Sequence, residues 1–364
     1  MEDIQVGKPL PWDCFDKGGT LLLRKGVVVS STRQIEGLLS RGLYVTTRPS
    51  EPAAPVLAKL TPFDHLDEFK FRLRSILEGI ANGAENAEIP TRLTKLITEI
   101  QAICETDADA ALGMLHLDIE SRYTVVHPLH VAILSELIAR KMNQSVEARQ
   151  IIMGAALTAN VAMMELQEQL QKQDGPLSDT QKEQVRLHPL HAVDRLLAVG
   201  VSDEHWIATV LHHHERLDGT GYPGAMRGEE IPLSVRIVAL ADTYSAMLAP
   251  RIYRANMMAK DALREVFLKR GSEIDGALAQ IFIKELGVFP PGAFVTLKNG
   301  ETAIVVRRGE NTKKPIVRSV LGPRGAPLSS CIKRDTSDED YAIRDMVARD
   351  KVVKLDVRRL WGYA

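Results

Sequence analysis

The chain has 364 residues, a formal net charge of −1 at pH 7 and 26% charged residues. That length is sufficient for roughly two or three domains, and the balanced charge excludes electrostatic recruitment of nucleic acid polymers or of an acidic membrane surface. Three widely spaced cysteines, Cys14, Cys104 and Cys331, favour a reducing compartment over a disulfide framework. No apolar run reaches the length of a membrane span and no apolar signal core begins the chain, so we expect a soluble, cytoplasmic protein.

Residues 1–48 are predicted to form a small α/β module. The apolar runs Leu21–Leu23 and Val27–Val29 predict short strands, and a short helix is predicted after them. Because this segment has no catalytic constellation, we interpret it as a packing or dimerisation module. Residues 49–62 are polar and rich in proline, and they form the predicted linker.

From residue 63 the hydrophobic pattern becomes helical, and we assign residues 63–286 to one helical domain with its core at residues 112–286. Apolar residues first recur at threes and fours in two stretches that are separated by Asn82-Gly83. The helices predicted for the core are Pro128–Met142, Ile151–Gln171, Ser178–Leu187, Pro189–Val199, Asp203–His214, Val235–Leu248 and Lys260–Arg270.

The string His-Pro-Leu-His occurs twice, at residues 127–130 and 188–191. A residue before proline avoids the α conformation, and proline suits the first position of a helix. We therefore predict that His127 and His188 each precede the start of a helix. Imidazole is the commonest ligand for transition metals in proteins, although a single histidine is more often merely packed or polar.

The most informative stretch follows the apolar run 206–211. Three adjacent histidines end that run, and an acidic residue and a turn come after them. Glycines in such a turn allow close approach of a ligand, and the tyrosine supplies a flat face and a hydroxyl group. A histidine pair alone indicates only a solvated helix end, but the whole string favours a ligand site. The string consists of His212, His213, His214, Glu215, Asp218, Gly219, Gly221, Tyr222 and Pro223.

This string resembles the second signature of the HD-GYP family, a branch of the HD metal-dependent phosphohydrolases that degrades cyclic di-GMP. The signature reads His-His-Glu, two residues, Asp-Gly, one residue, Gly-Tyr-Pro, and the chain fits it at every position. The resemblance covers about residues 112–286. It implies metal ligands at His127, His188, His213, His214 and Asp242. It also implies contacts to the dinucleotide at Asp218, Gly219, Gly221, Tyr222, Pro223, Arg251 and Arg254.

One segment departs from the family pattern. On the helix after the first histidine the family carries His-Asp, two residues, then Lys, whereas this chain has Thr158, Ala159 and Ala162 at these positions. The family's aspartate bridges two metals that activate water and neutralise phosphate, and an alanine has no ligand atom. We therefore expect that no catalytic residue is intact, that a two-metal centre does not form, and that the rate falls on the order of a thousandfold or more.

Some metal binding can survive this loss. Three neutral imidazoles, at His188, His213 and His214, can hold zinc with an open fourth position. The expected cofactor is therefore one divalent metal, which is iron, manganese or zinc, or else none. A rearranged site that recruits His130 or His191 is an alternative, because each lies three positions after a matched ligand. Restoring the family pattern with Thr158→His and Ala159→Asp is expected to raise the bound metal.

Residues 287–364 change to a β-rich pattern. Residues 293–297, 303–306 and 315–317 predict strands, and Asn299-Gly300 is a hairpin signal between the first two. Val352–Leu355 is a further predicted strand. A comparable tail follows the catalytic domain in many HD-GYP proteins.

The predicted fold is mainly α, an HD-type helical bundle with a small N-terminal α/β unit and a small β-rich C-terminal extension. The predicted function is that of a degenerate HD-GYP protein in cyclic di-GMP signalling. Such a protein is inactive or strongly impaired in catalysis, and it acts by binding the nucleotide or other signalling proteins. A homodimer is one predicted form of the protein. The alternative is a metal-dependent cyclic di-GMP phosphodiesterase with a reduced metal site. A third hypothesis is a scaffold that binds neither metal nor nucleotide.

Overall fold

The computed structural model describes residues 5–10, 14–15, 21–40, 61–83, 88–118, 121–249, 257–309, 311–348 and 355–363. The chain divides into two compact units, residues 1–59 and residues 60–364. The predicted domain limits at residues 48, 62 and 286 stay predictions.

The first unit has a small antiparallel pair of strands, β1 (Cys14–Phe15) and β2 (Leu21–Leu23), followed by helix α1 (Thr32–Ser40). Its core contains Leu10, Cys14 and Val29. The predicted strand Val27–Val29 is wrong, since only Val28 forms an isolated bridge, to Pro9. Hydrogen bonds from the backbone N–H of Gly7 to Val29 and of Leu10 to Val27 flank this bridge without forming a regular ladder.

The second unit is built mainly from helices, which confirms the predicted fold class. Apolar residues at threes and fours form one buried face on each of the first helices, and Thr61 and Asp64 form a capping box that starts the series. The helices are α2 (Pro62–Ala81), α3 (Ile89–Thr106), α4 (Ala108–Leu117), α5 (Tyr123–Lys141), α6 (Val146–Thr158), α7 (Met164–Lys172), α8 (Asp179–Ala198), α9 (Glu204–His212), α10 (Leu233–Leu248), α11 (Ala259–Leu268) and α12 (Gly276–Leu286). The sequence pattern did not predict α4 or α12.

Helix α5 lies at the centre of the bundle. It is buried along most of its length and packs against α6 and α10. A helix without a polar face must be covered on all sides, and this explains why apolar residues surround the axis of α5. The packing brings His127 of α5 beside Asp242 of α10 and beside the end of α6.

The predicted helix starts at Pro128 and Pro189 are wrong. Helices α5 and α8 both run through their proline, so Ser178–Leu187 and Pro189–Val199 belong to one helix. An internal proline removes the N–H that would bond the carbonyl four residues earlier. In α8 that carbonyl belongs to Val185, and it accepts a hydrogen bond from Nδ1 of His188 at 2.6 Å instead.

The predicted helix Ile151–Gln171 is also wrong in its extent. Helix α6 ends at Thr158, a short 3-10 turn covers Val161–Met163, and α7 then begins. The Thr158 hydroxyl donates to the Gly154 carbonyl at 2.8 Å, and Asn160 leaves helical geometry with φ −100° and ψ 9°. Because Asn160 has left helical geometry, the backbone hydrogen bonds of α6 do not continue past this residue.

The C-terminal part of the second unit contains a five-stranded antiparallel sheet of order β6-β5-β4-β3-β7. The three strands that the sequence predicted are confirmed, whereas β6 and β7 were not predicted. Of the predicted strand Val352–Leu355, residues 352–354 lie outside the described residues, and Leu355 is not in a strand. The elements are β3 (Phe294–Leu297), β4 (Thr302–Arg307), β5 (Ile316–Leu321), β6 (Pro327–Asp335), β7 (Ile343–Val347) and a short helix α13 (Val357–Trp361).

The sheet and α13 share one hydrophobic core with the bundle. The Trp361 ring occupies the space above Gly113, where an added Cβ would lie 2.2 Å from it. The same ring packs against Phe63 of α2 with centroids 5.3 Å apart. Arg307 of β4 forms an ion pair with Asp107, the residue that caps α4. Among the helices of the described residues, none combines the length and the apolarity that crossing a bilayer requires.

Candidate metal centre

Three histidines converge at one point of the second unit. His188 comes from α8, and His213 and His214 follow the end of α9. One ring nitrogen of each lies within 4.8 Å of the others. Within the described ranges this is the only group of three or more side chains with metal-ligand atoms so close together. The three residues are termed the histidine cluster below.

The hydrogen bonds of two of these rings define which nitrogen carries the proton. Nδ1 of His188 donates to the Val185 carbonyl at 2.6 Å, and Nδ1 of His213 donates to the Val210 carbonyl at 2.7 Å. A carbonyl oxygen only accepts, so in the neutral rings both Nε2 atoms carry lone pairs. These two Nε2 atoms face each other at 3.2 Å. Two lone pairs at that distance repel unless a cation lies between them.

The cluster is neutral because it is buried. Burial lowers the pKa of His188 to about 3, and it also lowers the pKa of His213 and of His214. Neutral imidazoles with Nδ1 bound to backbone carbonyls are the form in which histidine ligates metals. The donor set therefore fits one divalent transition metal with an open coordination position.

His127 and Asp242 lie beside the cluster and bind each other. Nε2 of His127 contacts Oδ1 of Asp242 at 2.8 Å, and its Nδ1 contacts the Ser245 hydroxyl at 3.0 Å. Burial alone raises the pKa of Asp242, but the hydrogen bond with His127 outweighs this and holds the pKa below its ordinary value. The carboxylate is therefore ionised and is held by the His127 ring.

The Ser245 hydroxyl connects His127 to a second buried ring. It contacts Nδ1 of His130 at 3.1 Å. A hydroxyl has one proton, so it donates to one ring and accepts from the other. If His127 Nε2 carries the proton toward Asp242, its Nδ1 accepts from Ser245, and His130 must donate. The position of the proton on His130 is thus coupled, through Ser245, to the position of the proton on His127, and therefore to which nitrogen of His127 can bind a metal.

Neither alternative ligand joins the histidine cluster. His130 uses Nδ1 for Ser245, and its buried Nε2 has no hydrogen-bond partner among the described residues. His191 is exposed on α8. A metal site that recruits His130 or His191 therefore stays a prediction, and the positions of these two side chains in the structure do not support it.

Thr158, which the resemblance predicts at the family's histidine position, has a structural role. Its buried hydroxyl donates to the Gly154 carbonyl at 2.8 Å and accepts from Nε1 of Trp206 at 2.9 Å. This pair of bonds joins α6 to α9. Neither Thr158 nor Ala159 lines the cavities beside the cluster, and Ala162 packs partly buried against the core.

Asn160 is the residue of this segment that reaches the site, and the sequence reasoning missed it. It is only 8% exposed, and its Nδ2 lies 3.4 Å from Oδ1 of Asp242. The missed signal is a carboxamide at the end of the long apolar run 151–159, where only a partner or a ligand can satisfy it.

The loop after the cluster is organised by Glu215. Its buried carboxylate accepts hydrogen bonds from the backbone N–H of Gly224 at 2.6 Å and of Met226 at 3.0 Å. At Gly221 an added Cβ would lie 2.5 Å from the Arg216 nitrogen, so the chain can fold back only with glycine there. The Glu-x-x-Asp-Gly-x-Gly spacing therefore builds a closed loop against the histidines.

Tyr222 packs the loop against the histidine cluster. Its ring stacks on His214 with centroids 4.8 Å apart, and its hydroxyl donates to the Val185 carbonyl at 3.4 Å. Pro223 follows it through a cis peptide bond. Asp218 accepts from the Thr220 backbone at 2.9 Å and thus stabilises its own turn, in which Gly219 has φ +78°. Arg251 and Arg254 lie outside the described residues.

Two cavities adjoin the cluster, and His214 and Asp242 line both. The first, of about 160 Å³, extends toward α7 and is termed the glutamine cavity; it is lined by Tyr123, His127, Asn160, Met163, Gln167, Leu170, Gln171, Gln173, Gly175, Leu177, Val185, His214, Asp242 and Ala246. The second, of about 440 Å³, extends along the loop and is termed the arginine cavity; its lining includes His213, Arg216, Thr220, Tyr222 and Thr243.

Residues 111–278 match the family model of the HD domain. Cyclic di-GMP phosphodiesterase PA4108 of Pseudomonas aeruginosa is 30% identical over 229 residues, covering 63% of this chain and 53% of that protein. The cyclic di-GMP phosphodiesterase response regulator RpfG of Xanthomonas campestris pv. campestris is 32% identical over 146 residues, covering 38% and 37%. The 3'3'-cGAMP-specific phosphodiesterase 3 of Vibrio cholerae is 31% identical over 175 residues, covering 48% and 38%. The chain thus spans about half of the length of these relatives, or less.

A solved structure supports the fold. Bd1817, an HDG"Y"P protein from Bdellovibrio bacteriovorus, superposes with a TM-score of 0.53 at 13% sequence identity and covers 78% of this chain and 96% of that one. At that identity the likeness concerns the fold alone, and it confirms the predicted HD-type helical architecture.

Proposed function

This chain contains an HD domain with cyclic di-GMP phosphodiesterases among its homologues, and from this premise we propose that it is a degenerate HD-GYP protein. In this proposal it binds one divalent metal at the histidine cluster and a cyclic dinucleotide beside it. It hydrolyses the dinucleotide slowly or not at all, and it acts in signalling through the bound state. A homodimer and contacts to other signalling proteins stay predictions.

The observation that carries the metal proposal is the pair of facing Nε2 atoms of His188 and His213 at 3.2 Å. Each ring is oriented by a backbone carbonyl that takes its Nδ1 proton, so the two lone pairs converge without any proton between them. His214 brings a third ring nitrogen to the same point. When bound, a divalent ion supplies positive charge that can hold a phosphate oxygen.

The chain's own residues would position the nucleotide. In the arginine cavity Arg216 offers a guanidinium group for a phosphate, and Tyr222 presents a flat ring beside it. Glu215 holds this loop closed against the cluster. Arg251 and Arg254 stay predicted contacts to the dinucleotide, together with the loop positions Asp218, Gly219, Gly221 and Pro223.

The weak or absent hydrolysis follows from the donors that are missing. A two-metal centre needs an anionic bridge, but Ala159 has no ligand atom and the neighbouring Asn160 is neutral. The Thr158 hydroxyl is occupied by α6 and α9. Among the described residues, the carboxylates of Asp242 and Glu215 line the arginine cavity, but Asp242 is engaged with His127 and Glu215 with two backbone N–H groups of the loop.

The alternative, a phosphodiesterase with a reduced metal site, rests on the same Asp242. This buried carboxylate lines both cavities, so it could turn from His127 to a metal ion at the cluster. Chelator-sensitive linearisation of cyclic di-GMP by pure protein would establish this alternative and remove the binding-only function.

The test compares His213→Ala with a matched control, His191→Ala, because His191 is exposed and outside the cluster. Purified protein is loaded with zinc or manganese, metal is quantified, and cyclic di-GMP is titrated calorimetrically on the same sample. We expect about one metal per chain in the wild type and in His191→Ala, and strong loss in His213→Ala. Absence of both metal and nucleotide binding in the wild type would favour the scaffold hypothesis.

A further inference from the structure

A group of buried polar atoms without partners lies outside the histidine cluster, where α4, α5 and α10 meet. Within the described ranges, Nε2 of His116, Nε2 of His130 and the hydroxyl of Tyr244 have no hydrogen-bond partner. The two imidazole rings pack edge to face with centroids 5.0 Å apart, and the Tyr244 ring lies 6.4 Å from the His130 ring. Because buried polar groups in proteins are nearly always paired, three such atoms on adjacent rings indicate a shared partner.

The proton of His116 is placed by the turn that covers this residue. Nδ1 of His116 contacts the Pro291 carbonyl at 2.8 Å, and a carbonyl oxygen only accepts, so Nδ1 donates. The turn fits closely, since a Cβ added at Gly292 would lie 2.7 Å from Cβ of His116. Burial lowers the pKa of His116 to about 4. The ring is therefore neutral, and its Nε2 carries a lone pair.

The proton of His130 is placed from the opposite side, by Asp242. The ionised carboxylate accepts from Nε2 of His127, so Nδ1 of His127 accepts from the Ser245 hydroxyl. That hydroxyl has then donated its only proton, and it accepts from Nδ1 of His130. Burial also lowers the pKa of His130. This ring is therefore neutral as well, and its Nε2 carries a second lone pair.

These hydrogen bonds form two series, and each series starts at a permanent acceptor. One starts at the Pro291 carbonyl and the other at the Asp242 carboxylate. Every residue that follows has a single proton and donates it toward the acceptor at the start of its series. No proton of either series is left for the two Nε2 atoms of His116 and His130. The shared partner must therefore donate twice.

A water molecule has the required protons and lone pairs. It can donate to Nε2 of His116 and of His130 and accept from the Tyr244 hydroxyl, and internal waters typically make about three hydrogen bonds. With bonds of about 3 Å on each side, one water spans partners up to roughly 6 Å apart, and the two imidazole centroids are 5.0 Å apart. A metal cation fits less well, because the group has no anionic member and burial raises the pKa of the Tyr244 hydroxyl.

We propose that His116, His130 and Tyr244 bind one internal water molecule. The water joins the two series into a continuous chain of hydrogen bonds from the Pro291 carbonyl to the Asp242 carboxylate, which lines both cavities of the candidate metal centre. The proposal is independent of the proposed function, since neither a metal nor a nucleotide takes part in this chain.

The water gives His116 an influence on the candidate metal centre. His116 belongs to α4, whereas Asp242 and Ser245 belong to α10. With the water bound, the chain keeps the proton of His127 on Nε2 and directs its lone pair, on Nδ1, toward Ser245. His116 is thus a positioning residue for His127, and it acts through the water and the residues between them.

The first experiment locates the protons and the water in the full-length protein. Histidine is labelled with ¹⁵N, and the ring signals are assigned from their loss in single substitutions. Both His116 and His130 should carry the proton on Nδ1, and nuclear Overhauser transfer from a long-lived water should reach the carbon-bound protons of both rings. A proton on Nε2 of either ring, or no transfer from water, would overturn the proposal. A chelator that shifts either Nε2 signal would also overturn it, because the occupant would then be a cation.

The second experiment tests whether His116 acts on His127. His116→Phe keeps a ring in the same space but removes an acceptor of the water, so the ¹⁵N shifts of Nε2 in His130 and of Nδ1 in His127 should both move. His116→Gln keeps an acceptor oxygen and should stay close to the wild type. The matched control is His205→Phe at an exposed position, which should leave both shifts in place.

The outcomes of the two experiments are distinct. If His116→Phe leaves the His127 shift unchanged, the chain does not connect these residues and the positioning role is wrong. If His116→Phe does not fold, as judged by thermal unfolding, Tyr244→Phe takes its place, because this variant removes the hydroxyl that donates to the water. Transfer from water to both histidine rings should then weaken, and undiminished transfer would count against the three-partner site.

Discussion

Replacing Thr158 by histidine tests whether the family's ligand can be restored at this position. From the sequence alone, Thr158→His with Ala159→Asp is expected to raise bound metal. In the structure the Thr158 side chain is fully buried and bonds to Nε1 of Trp206 at 2.9 Å. The Trp206 ring lies over Gly154, where an added Cβ would be 2.2 Å away. An imidazole at residue 158 would therefore meet the indole before it reached the cluster.

The cost can be estimated from the groups involved. Leaving the buried Trp206 N–H unpaired costs about 1–3 kcal/mol, and the larger ring adds about 1–3 kcal/mol of overpacking. Together these reach about 2–6 kcal/mol, a large fraction of the roughly 5–15 kcal/mol by which a domain is stable. We therefore expect Thr158→His to be markedly destabilised and to gain no metal.

The assay is urea unfolding followed by tryptophan fluorescence, with metal quantified in the same samples. Thr158→Ser keeps the hydroxyl and should lose about 1 kcal/mol or less, whereas Thr158→Val keeps the shape, removes the hydrogen bonds and should lose about 1–3 kcal/mol. A Thr158→His protein with wild-type stability and an additional equivalent of zinc would refute this reasoning, because it would mean that the indole yields easily.

Three further predictions concern other parts of the second unit. Glu215→Ala should free two backbone N–H groups of the loop and speed their hydrogen exchange at least tenfold, while an exposed control such as Glu229→Ala should not. Bidentate hydrogen bonds from Arg334 lower the pKa of Glu301 to about 2. This pair therefore stabilises the fold above the ordinary carboxyl pKa, and roughly 2–3 kcal/mol of the free energy of unfolding is lost as the pH falls from about 5 through 2. Glu301→Gln should flatten that part of the curve of stability against pH. Ser245→Ala should remove the hydrogen bond at Nδ1 of His127 while Asp242 keeps the proton on Nε2, so the ¹⁵N shift of Nδ1 should move; an unchanged shift would mean that the Ser245 contact has no influence on this ring.

The sequence located the histidine cluster because its signature is local. His213 and His214 are adjacent, and the glycines and Glu215 that close the loop lie within the next nine residues. The structure brings His188 to the same point. Hydrophobic periodicity likewise predicted most helices, since a face that must be buried leaves a period of 3.6 residues in the sequence.

The sequence could not show what depends on distant partners. Thr158 reads as a missing ligand until Trp206 of another helix is placed against it. Pro189 reads as a helix start, because the carbonyl that it leaves free finds its new donor only in the folded ring of His188. Asn160 was overlooked because its importance comes from the cavity that α7 builds around it.

The contact of Trp361 with Gly113 and Phe63 has a consequence for how the second unit is synthesised. Its first helix, α2, leaves the ribosome long before the tryptophan that covers it, since nearly the whole unit separates them in the chain. Until then the apolar surface around Phe63 is exposed to solvent and to chaperones. Contacts between such remote segments slow folding, so the nascent protein has an extended period in which it is open to aggregation and degradation.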